Sequence, residues 1–410
     1  MKKVLFLLLA GFACSFLSAQ EEEKSQWGIK FSGFVNTDYF YDSRQILCAR
    51  QGHFLLWPLP EKLDTEGVDI NARGSFNFLS IRTRAKATMT GPDFLGAKTM
   101  GVIEGSFFGH SNLDLNEFRL RHAFVKLDWE QTELLLGQYW NPFFIAECFP
   151  AVLSFNTGAP FSPFARNPQI RVSYKVGPIK LSALAFSHAD FASAAGIRAL
   201  RNSMIPELHL HAQYLKAPSA SSTGILIGGG AGFKKLVPLI ETEEGYHTTE
   251  GVGSFITELY GKLTFEKLTI KAEGIYGQNN YDLLMISSFG ITSADPVTGR
   301  MTYAPTSSYS VWTEIHSNNP KWQPGLFAGY TGNLGAGTDI SAGGIVGTRG
   351  EIDFIYRVSP RILYNVGKMR FGLELEYTVA AFGTINDEGL VVNSKAEGNL
   401  RTLIGVFYFF

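Results

Sequence analysis

Apolar and polar residues alternate along most of this chain, in runs broken by stretches rich in glycine, proline, asparagine and serine. Residues 117–129 show the pattern: Glu117, Arg119, Arg121, Ala123 and Val125 share one parity, Phe118, Leu120, His122 and Phe124 the other. Period-two alternation puts successive side chains on opposite faces of a sheet, so each run predicts a strand whose faces meet different surroundings. Strands are expected at 27–42, 67–90, 97–109, 117–129, 132–140, 168–176, 179–188 and 206–216, and then at 222–235, 252–265, 268–277, 309–317, 321–331, 352–366, 369–382 and 398–410. Three of them carry irregularities. In 67–90 the polar parity switches from Asp69, Asn71, Arg73, Ser75 and Asn77 to Ser80, Arg82, Arg84 and Lys86, which a bulge near Phe78-Leu79 would produce. Gly228, Gly229 and Gly230 suggest a bend or a close approach, and Pro360 requires a weakly paired position.

The connections sharpen the fold class. Short turns at 91–96, 130–131, 177–178, 217–221, 266–267, 318–320 and 367–368 alternate with long loops at 43–66, 141–167, 189–205, 236–250, 278–308, 332–350 and 383–397, and only the connection at 110–116 is modest. A soluble sandwich has no reason to keep short turns on one side and long loops on the other. A transmembrane antiparallel β-barrel of about 16 strands does, with its apolar parity facing lipid and its charges facing a wet lumen.

Both ends of the chain fit export. Lys2 and Lys3 precede an apolar run at 4–12 and a small-residue site at Leu17-Ser18-Ala19, which reads as a signal peptide over 1–19 and leaves 20–410 as one barrel domain. A lipid-anchor reading would use Cys14, but Phe12 sits where a small residue is wanted. The terminal stretch from Gly405 through Tyr408 to Phe410 looks like the signal that outer-membrane barrels present to their assembly machinery. Aromatic residues make up 13% of the chain and glycines number 43 of 410, while mean hydropathy is near zero, as an alternating wall averages out. A net charge of −1 points to no nucleic-acid partner.

Segments 119–127 (RLRHAFVKL), 135–144 (LLGQYWNPFF), 324–335 (PGLFAGYTGNLG) and 359–383 carry a family likeness. Through them the chain resembles the trimeric sixteen-stranded outer-membrane porins common in Bacteroidetes, which in turn resemble DcaP-type porins. The resemblance implies a homotrimer in a lipid and lipopolysaccharide bilayer. It also implies passive diffusion of small hydrophilic, preferably anionic solutes such as dicarboxylates, with a third external loop folded inward. A barrel whose large loops 43–66 and 278–308 bind a surface glycan or partner is the competing reading.

With the apolar parity outward, the lumen receives Arg82, Arg84, Arg119, Arg121, Arg171 and Lys175 as one basic wall, and Glu258, Glu273, Arg357, Arg361, Glu374 and Glu376 elsewhere. Such a transverse field favours anions, although the same residues could simply pair with each other. Loop 141–167 offers one carboxylate, Glu147, and one base, Arg166, among phenylalanines that need burying. The family's third loop is usually more acidic, so a sharp acid-against-base eyelet is not expected. Cys48 and Cys148 fall in two loops on the same side, where they either form a disulfide or remain two thiols. His209 and His211 share a face with Glu207 and Gln213, but without a third ligand they read as a polar ladder rather than a metal site. His122, on the apolar parity, is expected at a subunit interface. No nucleophile elbow, phosphate loop or dinucleotide fingerprint is present, and neither an enzymatic activity nor a cofactor is expected.

Overall fold

The computed structural model describes residues 27–219 and 222–410; the expected signal segment and Cys14 lie outside the described residues. The barrel strands are β1 (Gly28–Asp42), β2 in two segments (Ser75–Leu79 and Arg84–Phe94), β3 (Ala97–Ser106), β4 (Arg119–Asp128), β5 (Thr132–Trp140), β6 (Arg166–Val176), β7 (Ile179–Phe186) and β8 (Glu207–Lys216). They continue with β9 (Gly224–Leu236), β10 (Val252–Thr264), β11 (Leu268–Gln278), β12 (Ser307–Ser317), β13 (Trp322–Asn333), β14 (Ile352–Val366), β15 (Met369–Ile385) and β16 (Val391–Phe409). Each pairs antiparallel with its sequence neighbours, and β1 pairs with β16, from Phe34↔Phe409 to Asp42↔Arg401, to close a barrel of 16 strands. Closure leaves the sheet without an edge.

The faces divide as the alternation predicts. Val35, Ile103, Leu120, Ile170, Leu210, Leu259, Val311, Leu375 and Ile404 stand exposed on the outside, whereas Asp38, Glu104, Arg121, Glu258, Glu314, Arg357 and Arg401 are buried inside. Turns such as Leu95-Gly96, with φ of 49° and 78°, join strands at one end; these left-handed values suit a two-residue hairpin. Loops L1 (43–74), L2 (107–118), L3 (141–165), L4 (187–206), L5 (237–251), L6 (279–306), L7 (334–351) and L8 (386–390) occupy the other end.

Single extra residues reset the parity in two strands. β1 advances from Asp38 to Phe34 while β2 advances from Leu79 to Arg84, so β2 carries one residue more, just past the expected bulge. In β4 a register shift lies between Glu104↔His122 and Gly105↔Leu120, leaving Arg121 as the extra residue. His122 is therefore turned inside, against the rings of Tyr139 and Trp140 at 5.4 and 5.1 Å, and not toward a subunit interface. Pro360 pairs with Leu326 of β13, and the ladder to β15 lapses at Ser359-Pro360. At Gly228 a side chain would strike the Tyr260 hydroxyl at 2.3 Å, so the glycine run serves a close approach.

Two further sequence expectations fail. Residues 67–74 are loop rather than strand, because the Asp69 carboxylate accepts from the amides of Lys62 and Asn71, at 2.9 and 3.0 Å, and builds a short 3-10 turn at Ile70–Ala72. The long loop expected at 383–397 is only 386–390, since β15 and β16 continue as a tall hairpin through Ile385↔Val391.

Candidate functional site

The lumen is crossed by L3, which leaves β5 and returns to β6 but is fastened to the far wall. Asn141 starts it, its Oδ1 accepting from the Phe143 amide at 3.0 Å. Its phenylalanines then bury themselves in a cluster with the L1 hairpin Ile46–Ala49/Phe54–Pro58, Phe54 meeting Phe155 and Phe164 with ring centroids 5.7 and 5.2 Å apart. Polar side chains of the wall take up the loop's backbone. Glu374 accepts from the amides of Leu153 and Ser154 at 2.6 and 3.2 Å, and Glu376 accepts from Asn156 Nδ2 at 3.0 Å. Arg357 donates to the carbonyls of Ala159 and Leu56, both at 2.7 Å, while Lys271 and Lys262 reach those of Phe149 and Glu147 at 3.0 and 2.7 Å. Buried backbone groups need such partners, so these wall charges hold a loop in place rather than face an open channel. Gly372 and Gly405 leave room for Leu153, which would lie 2.7 and 3.0 Å from a side chain placed there.

Between L3 and the turn end lies a cavity of about 480 Å³ lined by Arg82, Arg84, Arg121, Arg361, Arg370 and His316, with Phe34, Trp140, Phe149 and Phe407 among its aromatic walls. None of its lining residues is a carboxylate. The counter-charges sit behind the arginines. Glu104 takes Arg121 at 2.8 Å and stands 3.4 Å from Arg84, Asp38 is 3.9 Å from Arg82, and Glu314 binds Arg361 at 2.5 Å. Among the described residues Arg370 pairs with no carboxylate and donates to Asn365 Oδ1 at 2.8 Å. Among the described residues, buried guanidinium nitrogens of Arg82, Arg121 and Arg361 have no hydrogen-bond partner. Guanidinium groups around a space free of carboxylates can receive an anion's oxygens, and the aromatic faces can receive its apolar part.

The expected basic wall is thus divided. Arg82, Arg84 and Arg121 line this cavity together with Arg361, which was placed on the opposite side. Arg119 and Arg166 rise toward the loop end, where Asp190 of L4 receives them at 3.5 and 2.7 Å. Burial works to raise the Asp190 pKa, but Arg166 and Arg119 outweigh it and hold the carboxyl below its ordinary range. Arg171 lines a second, smaller cavity with Lys126, Lys180, Glu133 and Glu147, and Lys175 stands 3.6 Å from Asp128 near the turns. Glu147 and Arg166 consequently do not face each other: one joins the lower cavity, the other the mouth. Glu273 accepts from Trp312 Nε1 at 2.7 Å, and Glu258 lies 3.3 Å from His211.

Cys48 and Cys148 are both free thiols. Cys148 is directed to the opposite wall, its Sγ donating to the Gly261 carbonyl at 3.3 Å, while Cys48 stays in the L1 hairpin; the disulfide alternative is not realised. Ile404, Tyr408 and Phe410 point outward at the barrel seam. His209 and His211 part company, His209 bonding Glu207 at 2.8 Å. The sequence reading missed Arg370, though it shares a parity with Glu374 and Glu376 and could have been found. It had no means of finding Asp190 or Glu104 as partners, because register and loop placement bring them in.

No family model and no curated protein matches the chain. Solved structures do. The outer membrane channel DcaP of Acinetobacter baumannii superposes with a TM-score of 0.67 at 15% identity, over 96% of this chain and 100% of that one. The trimer form of Vibrio cholerae OmpT gives 0.55 at 12% identity, over 94% and 100%. An anion-selective porin from Comamonas acidovorans gives 0.53 at 11%, also over 94% and 100%. At such identities the likeness establishes the fold.

Proposed function

We propose that the chain is an outer-membrane porin that passes small anionic solutes by diffusion. The observation that carries this reading is the arginine-lined cavity beneath L3, whose lining holds five guanidinium groups and no carboxylate. A low-dielectric wall lined with one sign of charge concentrates counter-ions inside it. The exposed apolar outer face suits a bilayer, and likeness to a DcaP channel and to an anion-selective porin supports the same reading. Likeness to a barrel solved in trimer form supports a homotrimer. Aromatic faces beside the arginines would suit carboxylates with a compact carbon skeleton, dicarboxylates included.

Reconstitution in a planar bilayer tests the proposal. An ohmic conductance with chloride favoured over potassium in a salt gradient is the expected result. A silent barrel, or one that favours potassium, would overturn it.

A further inference from the structure

At the loop end, apart from the arginine cavity, three buried groups from three elements converge. His188 comes from L4, Glu207 is the first residue of β8, and Asp282 lies in a 3-10 turn at Tyr281–Leu283 of L6. His188 Nε2 stands 2.9 Å from Glu207 Oε2 and 3.2 Å from Asp282 Oδ2. One ligand atom from each residue lies within 4.8 Å of the others, and these side chains are only 2–3% exposed. His209 Nε2 reaches the second oxygen of Glu207 at 2.8 Å. The Lys234 ammonium is bonded to Asp282 Oδ1, which leaves Oδ2 to the imidazole.

The two His188 separations suit a coordination shell. A divalent ion bound at ~2.0–2.2 Å by nitrogen and oxygen holds neighbouring ligand atoms roughly 3 Å apart. The donor types also discriminate among ions. Calcium and magnesium prefer oxygen throughout, whereas imidazole together with carboxylates suits zinc and its first-row neighbours. With both histidines neutral, two carboxylates face a single ammonium, so the pocket needs further positive charge. A proton on His188 can supply it, and so can a metal ion in the proton's place.

We propose that His188, Glu207 and Asp282, with His209 holding the second oxygen of Glu207, form a zinc-class divalent-metal site that clasps L4 and L6 to the barrel wall. The clasp bears on the lumen, because the Phe164 amide of L3 donates at 3.1 Å to the carbonyl of Leu283, next to Asp282. Binding one ion would fix three loops at once.

The test uses untagged full-length barrel in detergent, stripped with a chelator. ZnCl2 is titrated in competition with a chromophoric zinc chelator, and CoCl2 is titrated with the visible d–d bands recorded. The expected result is one zinc ion per chain, weakened roughly tenfold or more in His188→Gln and in Asp282→Asn. His110→Gln, at the exposed His110–Glu117 pair, should leave binding unchanged. Failure of the wild type to bind zinc stoichiometrically would overturn the proposal, as would binding that both site variants retain. Should the variants fail the heat-modifiability check for folding, zinc-dependent hydrogen-exchange protection of residues 187–206 and 279–288 in the wild type decides. Protection supports the site, and its absence refutes it.

Discussion

Replacing Arg84 and Arg370 together by glutamine should reduce anion selectivity without altering the barrel. Both line the cavity beneath L3, Arg84 at 3.4 Å from Glu104 and Arg370 bonded to a neutral asparagine. A unit charge ~6 Å from a passing ion in a water-like medium interacts by about 0.7 kcal/mol. Loss of that charge moves anion and cation in opposite directions, so their ratio changes by about 1.4 kcal/mol, a factor of ten. At physiological ionic strength the Debye length of about 8 Å leaves roughly half of this, or threefold per charge and about tenfold for the pair. At 1 M salt, with a Debye length of about 3 Å, the double variant should differ from wild type by about twofold or less. The assay is the reversal potential in a potassium chloride gradient at each ionic strength, with single-channel conductance expected to stay within a few-fold. A permeability ratio that the double substitution leaves unchanged at 0.15 M, in a barrel of normal heat-modifiable mobility, would mean that ions do not pass these side chains.

Glu374→Ala should orphan the Leu153 and Ser154 amides, at about 1–3 kcal/mol for each unsatisfied group, and appear as larger or noisier single-channel conductance; a trace identical to wild type would refute the fastening role. Intact mass should be the same with and without reductant, and Cys148, a buried residue of L3, should alkylate only after unfolding. Alanine at both Tyr408 and Phe410 should lower the amount of folded barrel reaching the membrane, with insertion scored by heat-modifiable mobility. Burial opposes protonation of His188, but Asp282 and Glu207 outweigh it and raise its pKa. In chelator-stripped protein the L4 clasp should therefore be fully present below the unfolded value of ~6.5 and weaken as pH rises through the folded value. Hydrogen exchange of residues 187–206, corrected for intrinsic rate, should show that fall in protection, and His188→Gln should remove it.

Strand existence was legible because a wall wetted on one side and greasy on the other must alternate, and residues 352–366 were bounded as they stand in the structure. Parity was less secure. One extra residue at Arg121 reverses every later side chain in β4, and no composition signal marks it, so His122 was assigned to the wrong face. The hairpin tip at 386–390 was overestimated because strands that rise beyond an apolar band become polar on both faces and read as loop. Glu374, Glu376 and Arg357 were legible as inward charges. Their work on a loop more than a hundred residues away was not, since it depends on which strands stand opposite L3.

The bonds that secure L3 also impose an order on assembly. The Leu153–Glu374 contact spans 221 residues of chain, that of Ala159 with Arg357 spans 198, and that of Leu56 with Arg357 spans 301. Whatever the first half of the barrel does on its own, the stretch of its central loop from Leu153 to Ala159 lacks its bonds to Arg357, Glu374 and Glu376 until β14 and β15 have arrived. A chain halted before those strands would hold the loop from β10, β11 and L6 but leave Leu153, Ser154, Asn156 and Ala159 without their wall partners. The narrowing of the passage is therefore among the last features to form, and it acts as a built-in check that the cylinder has been completed.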